Sequence, residues 1–297
     1  MAAALIAVGL VVIAVVASIR ARMLRKAPGA SASTSGSNSP LEWSADDEFK
    51  IDGIEYACRP VSDLFPSTGE RFCLRKPREE VERYASFLAE HQSDSIFELG
   101  IYDGGSTALI AQLAEPSKLI AVDITAPRNP GLKRFIAQRG LDTSVRPFWE
   151  VDQADGARLV RIVEDELGSN PLDLVIDDAS HLLEPTRDSF ETLFPRLAPG
   201  GIYVIEDWSW AHAPQGTWPD TPALTTLIFE LVVAAAHSPA AVAELTIDGG
   251  WCAAERGPAD LEPSGFSLAQ LCGERGRLLL AGKDGVAAGR TTELSGG

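Results

Sequence analysis

Residues 95–123 constrain the possible fold more than any other part of the sequence. An apolar run ends at Gly100, Gly104 and Gly105 precede a helical stretch, and a second apolar run closes on Asp123. Glycines let a backbone approach a ligand, and the free N–H groups of a helix start attract polar ligands. An acid at the tip of the second strand suits a ribose diol. This stretch therefore predicts a nucleoside-binding βαβ unit.

The spacing of the glycines indicates which nucleoside binds. Dinucleotide sites have the spacing G-x-G-x-x-G. Here Glu98 precedes Gly100, three residues separate Gly100 from Gly104, and Ser106 follows the second glycine of the pair. This E-x-G-x-x-x-G-G pattern resembles motif I of class I S-adenosylmethionine (SAM) methyltransferases. The alternative is a tight βα turn in another kind of α/β protein.

Apolar runs of strand and helix character alternate from residue 95 to residue 255, which predicts an α/β fold. Helices are predicted at 77–91, 107–113, 132–139, 154–167, 186–197 and 222–237. Further strands are predicted at 144–151, 172–176, 201–205, 243–247 and 251–255, besides a short one at 51–58. We expect a Rossmann-like, doubly wound, mostly parallel sheet of seven strands. Ligands of such sheets bind at the carboxyl ends of the strands.

Two of these strands end in paired carboxylates. Asp177 and Asp178 end one strand, and Glu206 and Asp207 end the next. Clustered acids repel one another unless something neutralises them, and a hard divalent cation does this with oxygen ligands. His181 follows on the same loop as Asp178 and is a candidate base. The alternative is that these acids cap helices or pair with arginines.

Residues 76–257 resemble the metal-dependent sugar O-methyltransferases of macrolide biosynthesis, the macrocin and mycinamicin type. They are similar, more loosely, to the cephalosporin-hydroxylase-type methyltransferases. The resemblance rests on residues 98–106, 152–155, 176–181 and 200–208. One departure is Ala179, where the family commonly has glycine.

The resemblance implies a magnesium ion held by Asp178, Glu206 and Asp207, with His181 as the catalytic base. The residues expected at the SAM site, with Asp152 and Gln153 near the adenosine, are Glu98, Gly100, Gly104, Gly105, Ser106, Asp123, Asp152, Gln153 and Asp177. Magnesium would lower the pKa of an acceptor hydroxyl while the base takes its proton. We therefore expect SAM- and Mg-dependent O-methylation of a sugar or another small diol-like acceptor.

Other functions remain open beside this one. The acceptor could instead be phenolic or lipid-linked, which changes the substrate but not the chemistry. A non-catalytic SAM-binding scaffold is a second alternative, although a scaffold has no need for the carboxylates. One of Trp208, Trp210 and Trp218 either stacks on the acceptor or covers the core.

The N-terminal segment predicts a membrane anchor. Residues 2–19 carry no charge, and as a helix these 18 residues would extend about 27 Å, enough to span a bilayer. Arg20, Arg22, Arg25 and Lys26 follow, which predicts a single pass with the catalytic domain in the cytoplasm. A cleaved signal peptide is the alternative, but its basic residues would precede the apolar run.

The remaining segments complete the expected domain organisation. Residues 1–26 form the anchor with its basic collar, 27–40 a flexible Ser/Gly linker and 41–75 a cover segment. Residues 76–286 form the methyltransferase domain, and 287–297 a disordered tail.

Charge and cysteine content exclude two kinds of site. The net charge of −16 argues against a nucleic-acid partner, because phosphate binding needs a basic face. The four cysteines lack C-x-x-C spacing, so we expect reduced thiols and no zinc site. The expected partners are the small-molecule acceptor and the membrane, and homo-oligomerisation is left open.

Overall fold

A computed structural model describes residues 41–44, 47–212, 222–274 and 276. The predicted membrane anchor, the linker, the C-terminal tail and Trp218 lie outside these residues. None of the helices in the described ranges combines the length and the apolar character that crossing a bilayer requires.

A seven-stranded sheet forms the centre of the molecule, as the alternating pattern predicts. Its strands are β5 (Ser95–Leu99), β6 (Lys118–Asp123), β7 (Val145–Trp149), β8 (Leu172–Asp177), β9 (Leu197–Glu206), β10 (Val242–Ile247) and β11 (Trp251–Arg256). Their spatial order is β10-β11-β9-β8-β5-β6-β7. The five strands from β9 to β7 are parallel, whereas β11 and β10 pair antiparallel. The sheet is therefore mixed, with a parallel core.

Helices cover both faces of this sheet. The helices are α1 (Arg78–Glu90), α2 (Gly105–Ala114), α3 (Gly131–Arg139), α4 (Gly156–Leu167), α5 (Leu183–Leu193), α6 (Thr225–His237) and α7 (Leu268–Leu271). One core holds the buried side chains of α1 to α3 and a second core those of α4 to α7. Successive strand residues alternate between the cores, as Ile96 and Phe97 do. Both faces are buried, so the parallel strands are almost wholly apolar.

Residues 41–74 contain a second sheet, of which the sequence analysis predicted one strand. Its strands are β1 (Glu42–Trp43), β2 (Glu48–Ile51), β3 (Ile54–Cys58) and β4 (Arg71–Leu74), in that spatial order. Asp52 and Gly53, both with positive φ, form the two-residue turn between β2 and β3. This Asp-Gly pair was the sequence signal for the hairpin.

Aromatic rings connect the small sheet to the rest of the molecule. Phe49 stacks on Tyr56 and Tyr56 on Phe72, with ring centroids 5.0 and 5.7 Å apart. Phe72 then meets Phe135 of α3 edge to face at 5.5 Å. These contacts place the segment after β4, with Arg75 and Lys76, beside the carboxyl ends of the parallel strands.

Several predicted boundaries were wrong. The strand predicted at 51–58 is interrupted by the turn at Asp52 and Gly53, and the strand predicted at 201–205 is β9 at Leu197–Glu206. The helix predicted over 186–197 is α5 at Leu183–Leu193, followed by a single 3-10 turn at Phe194–Arg196. Pro195 has no N–H to continue an α-helix, so the chain tightens there and enters β9 at Leu197.

Candidate active site

A cavity of about 440 Å³ opens at the carboxyl ends of the parallel strands. This volume lies within the range of small-molecule sites. Five strand ends contribute to its wall, through Gly100, Asp123, Asp152, Asp178 and Asp207. The wall also includes Gly105, Ser106, Gln153 and His181.

The glycine-rich turn brings two strand ends into contact. Gly100 has φ +99°, and a Cβ there would lie 2.2 Å from the carbonyl oxygen of Asp178. The N–H of Asp178 in turn donates to the carbonyl of Leu99 at 2.9 Å. Gly104 also has a positive φ, and a Cβ would lie 2.7 Å from Cβ of Leu132. Glycine at position 100 is thus required for the turn and the Asp178 loop to touch.

Asp123 orients the glycine-rich turn. Its Oδ2 accepts the N–H groups of Ile101 and Tyr102 at 3.0 and 2.7 Å. Its Oδ1 accepts the N–H and the hydroxyl of Thr125, both at 2.8 Å. A carboxylate has about four acceptor positions, so a ribose hydroxyl would have to displace one of these donors.

Three residues predicted at the cofactor site, Glu98, Gly104 and Asp177, do not line the cavity. Glu98 is buried and accepts the hydroxyl of Thr107 at 2.6 Å, and burial raises its pKa to about 7. Asp177 accepts the hydroxyls of Ser189 and Tyr203, each at 2.9 Å, and burial raises its pKa to about 6. Both side chains support the loops above them.

Gln153 connects the loop after β7 with the loop after β8. Its Oε1 accepts the N–H of Ser180 at 2.9 Å, and its Nε2 lies 3.3 Å from both oxygens of Asp177. The neighbouring Asp152 is exposed and accepts the N–H of Ala154 at 2.9 Å. Both residues line the cavity, so the position predicted for adenosine contacts belongs to its wall.

Asp178, His181 and Asp207 form a group of potential metal ligands whose donor atoms all lie within 4.8 Å of one another. Nε2 of His181 is 3.8 Å from Oδ1 of Asp178 and 3.9 Å from Oδ2 of Asp207. Two carboxylates and an imidazole suit a divalent cation. We call these three residues the acid–histidine cluster.

The backbone is strained at the acid–histidine cluster. His181 and Asp207 both have left-handed φ values, 56° and 53°. The backbone of His181 is held by Trp210, whose indole N–H donates to the His181 carbonyl at 3.2 Å. The backbone of Asp207 is held by its own N–H, which donates to the Gly250 carbonyl at 2.7 Å. Such conformations persist where surrounding contacts hold them, and they concentrate at functional sites.

Glu206, predicted as a metal ligand, lies outside the acid–histidine cluster. Nζ of Lys76 donates to Oε2 of Glu206 at 2.6 Å and to Oδ2 of Asp178 at 2.7 Å. The hydroxyl of Tyr84 donates to the other oxygen of Glu206. The cation that neutralises this pair of carboxylates in the structure is thus an ammonium group.

The Lys76 ion pair is deeply buried. Burial alone lowers the pKa of Lys76, but attraction to Asp178 and Glu206 outweighs it and leaves the pKa well above its usual value. Burial and the nearby Asp178 charge raise the pKa of Glu206 to about 8 despite Lys76. The sequence analysis missed Lys76, because the two acids follow it by 102 and 130 residues.

The segment after β4 contributes further residues to the cavity. Arg75 and Lys76 follow β4 directly, and Glu80 lies in the first turns of α1. Arg75 and Arg128 flank the ring of Tyr102 at 5.4 and 4.3 Å from its centroid. The wall beside the glycine-rich turn therefore carries guanidinium groups.

The remaining tryptophan and histidine candidates lie away from the cavity wall. The indole N–H of Trp208 donates to the Asp248 carbonyl at 2.8 Å, and the ring of His212 contacts the Thr225 hydroxyl. Trp210 contacts His181 through its indole N–H and through its ring, whose centroid lies 6.5 Å from that of the imidazole.

Comparison with protein families identifies the segment that carries these features. Residues 97–208 match a family described as a methyltransferase domain. The match spans the glycine-rich turn and all three members of the acid–histidine cluster. Residues 97–208 are therefore similar to a methyltransferase domain.

Three relatives illustrate the similarity. A rhamnosyl-tetracenomycin-C 3'-O-methyltransferase of Streptomyces olivaceus is 31% identical over 131 residues, which are 42% of this chain and 30% of that protein. Demethylmacrocin O-methyltransferase of Streptomyces fradiae is 57% identical over 44 residues, 15% of this chain and 11% of that protein. A solved structure of the methyltransferase MycE with Mg, SAH and mycinamycin VI is 24% identical, with a TM-score of 0.46, over 61% of this chain and 49% of that one.

The sequence matches confirm that the matched segment is related to the macrocin and mycinamicin type of sugar O-methyltransferase. The chain spans less than a third of the length of the curated relatives it matches.

Proposed function

We propose that this protein is a SAM-dependent O-methyltransferase that uses a divalent cation, magnesium in the first instance. The observation that carries the proposal is that the acid–histidine cluster and the glycine-rich turn line one cavity. A methyl donor and a cation-activated hydroxyl have to meet in a single site for such a transfer. The spacing of Gly100, Gly104 and Gly105 also differs from the G-x-G-x-x-G of nicotinamide sites.

The donor site would be formed by the glycine-rich turn and the neighbouring strand ends. SAM, when bound, supplies an electrophilic methyl group on its sulfonium. Gly100, Gly105 and Ser106, which follow β5, would leave room for the methionine part of SAM. Asp152 and Gln153 follow β7, which is separated from β5 in the sheet by β6. Asp123 accepts backbone N–H groups of the turn and of Thr125, and it would exchange one of these donors for a ribose hydroxyl.

The acceptor site would be formed by the acid–histidine cluster. A divalent cation, when bound, supplies Lewis-acid polarisation of an acceptor oxygen. Asp178 and Asp207 would hold it through the oxygens that face His181. Nε2 of His181 then accepts the proton of the acceptor hydroxyl, which makes the oxygen nucleophilic.

The acceptor class follows from the relatives and from the geometry. The matched relatives are named for methylation of a rhamnosyl-tetracenomycin and of demethylmacrocin. A cation held by Asp178 and Asp207 would retain positions for two adjacent acceptor oxygens. We therefore propose a vicinal diol on the sugar of a small glycosylated natural product as the acceptor.

The test is a transfer assay with the full chain. The protein is incubated with labelled SAM and a panel of glycosylated polyketides, and parallel samples contain magnesium or EDTA. Label in a sugar ether, formed with magnesium and absent with EDTA, supports the proposal. Calorimetry with SAM and with NAD, each alone, checks the donor, and tighter binding of NAD would overturn the methyltransferase assignment.

We also propose that the protein is held at a membrane, with its catalytic domain in the cytoplasm. The support is the uncharged stretch 2–19 and the four basic residues that follow it. A reporter that is active only in the cytosol, fused to the C-terminus, tests the orientation. Recovery of the full chain in the soluble fraction, or a mature N-terminus near Ser18, would contradict the proposal.

A further inference from the structure

Lys76 occupies the space between two carboxylates that the family resemblance assigns to the metal. Its Nζ lies 2.7 Å from Asp178 and 2.6 Å from Glu206, and its side chain is only 7% exposed. The ring of Tyr84 lies against the ammonium at 5.3 Å. An ammonium enclosed in this way is part of the site and not a surface charge that happens to be near.

The oxygens of the two acids are divided between Lys76 and the cavity. Oδ2 of Asp178 accepts a hydrogen bond from Lys76, while Oδ1 faces Nε2 of His181 at 3.8 Å. Oε2 of Glu206 accepts a hydrogen bond from Lys76, and its other oxygen accepts one from the hydroxyl of Tyr84. Glu206 is 4% exposed, and the cavity wall includes its neighbour Asp207 but not Glu206 itself. Each oxygen of Glu206 therefore has a protein donor.

We propose that Lys76 is a positioning residue that removes Glu206 from the metal site and limits Asp178 to a single ligand oxygen. The inference rests on the metal site of the proposed function and changes its ligand set. The cation would be held by Asp178 and Asp207 beside His181, and Glu206 would serve as the counter-ion of Lys76.

This arrangement has a direct consequence for cation affinity. Affinity for a hard cation increases with the number of carboxylate charges and oxygens that reach it. Lys76 takes up one carboxylate entirely and one oxygen of another, and its own charge repels the cation at close range. The site would therefore bind magnesium loosely and leave coordination positions for the acceptor.

The experiment measures the binding of magnesium alone to the full chain by calorimetry, without SAM or acceptor. Four variants are compared with the wild type: Glu206→Gln, Asp207→Asn, the double variant Lys76→Met/Glu206→Gln, and Lys118→Met/Glu166→Gln. The double variant at position 76 removes both charges together, because Lys76→Met alone would leave the buried Glu206 and the partly buried Asp178 without a cation. Lys118 and Glu166, paired at 2.9 Å at the opposite end of the strands, are the matched control.

We expect Glu206→Gln to change the magnesium Kd by less than about fivefold, since it acts only through Lys76, and Asp207→Asn to weaken binding by about 100-fold or more. The double variant at position 76 should bind magnesium at least about tenfold more tightly than the wild type. The control pair should leave the Kd unchanged. A merely structural Lys76 would alter the unfolding midpoint, measured on the same samples, and not the Kd.

Two results would overturn the inference. One is a loss of affinity in Glu206→Gln as large as that in Asp207→Asn, which would make Glu206 a ligand. The other is unchanged or weaker binding in the folded double variant. If the wild type binds no magnesium but the double variant does, the inference holds and the cation requirement of the proposed function fails. If neither the wild type nor the double variant binds magnesium, both the inference about Lys76 and the cation requirement of the proposed function are wrong.

Discussion

Nε2 of His181 lies 3.9 Å from Oδ2 of Asp207, although the two residues follow different strands of the sheet. Both residues have left-handed backbone conformations, and both line the cavity. If Asp207 holds a cation as proposed, the neighbouring imidazole would be well placed to accept a proton from the acceptor hydroxyl.

The first prediction concerns His181 as the base. His181→Ala should slow methyl transfer by about 10²- to 10⁴-fold while the Kd values of SAM and magnesium stay within about threefold. The defect should shrink at high pH, because hydroxide then removes the acceptor proton. Single-turnover rates between pH 6 and 10 measure this. His212→Ala is the control, since His212 is outside the cavity wall. Full activity of His181→Ala at neutral pH would refute the role.

Asp207 and Asp152 should show opposite defects. Asp207→Asn removes one of the two carboxylates of the acid–histidine cluster, so magnesium binding and transfer should both be lost while SAM still binds. Asp152→Asn changes an exposed acid elsewhere on the wall, so SAM binding should weaken and magnesium binding should not. Calorimetry with each ligand separates the two effects. Retained magnesium affinity in Asp207→Asn would place the cation elsewhere.

Replacement of Gly100 should disrupt the donor site. In Gly100→Ala the new Cβ would collide with the Asp178 carbonyl, 2.2 Å away, in addition to adopting a φ of +99°. The glycine-rich turn and the Asp178 loop would have to separate, so SAM affinity should fall at least about tenfold. Gly140→Ala is the matched control, with φ +65° and no atom near the added Cβ, and should cost about 1 to 2 kcal/mol of stability. Equal effects of the two substitutions on stability and SAM binding would contradict this prediction.

Glu98 should make the folded protein less stable as the pH rises. Burial raises its pKa from 4.5 to about 7, so the unfolded chain releases this proton before the folded one does. The stability that neutral Glu98 contributes is complete below pH 4.5 and is lost as the pH rises through 7, by about 3 kcal/mol. Glu98→Gln retains an acceptor for the Thr107 hydroxyl and cannot ionise. The free energy of unfolding of Glu98→Gln relative to the wild type, measured by urea denaturation, should therefore increase between pH 5 and 8. A difference that does not change with pH would disprove the raised pKa of Glu98.

The sequence by itself determined the parallel sheet and the position of the cavity. Apolar strands, glycine turns and helix periodicity depend on residues within one or two turns of one another, so they are visible in a linear pattern. Because parallel strands point the same way, polar residues at their ends meet at one edge. Gly100, Asp123, Asp178 and Asp207 were identifiable for this reason.

The small sheet was largely missed because its strands have two to five residues, too few for a clear period. Only the aromatic contacts with α3 show how it packs. The segment that follows it brings Lys76 to the cavity.

The tertiary structure alone decided which carboxylates face the cavity. Glu206 and Asp207 are adjacent and chemically alike, yet Asp207 lines the cavity, whereas Glu206 is buried against Lys76 and Tyr84. No local pattern specifies that choice, because the ion pairs of Lys76 join residues 102 and 130 positions apart. Such contacts depend on how the segment after β4 packs beside β8 and β9, and therefore on the folded chain as a whole.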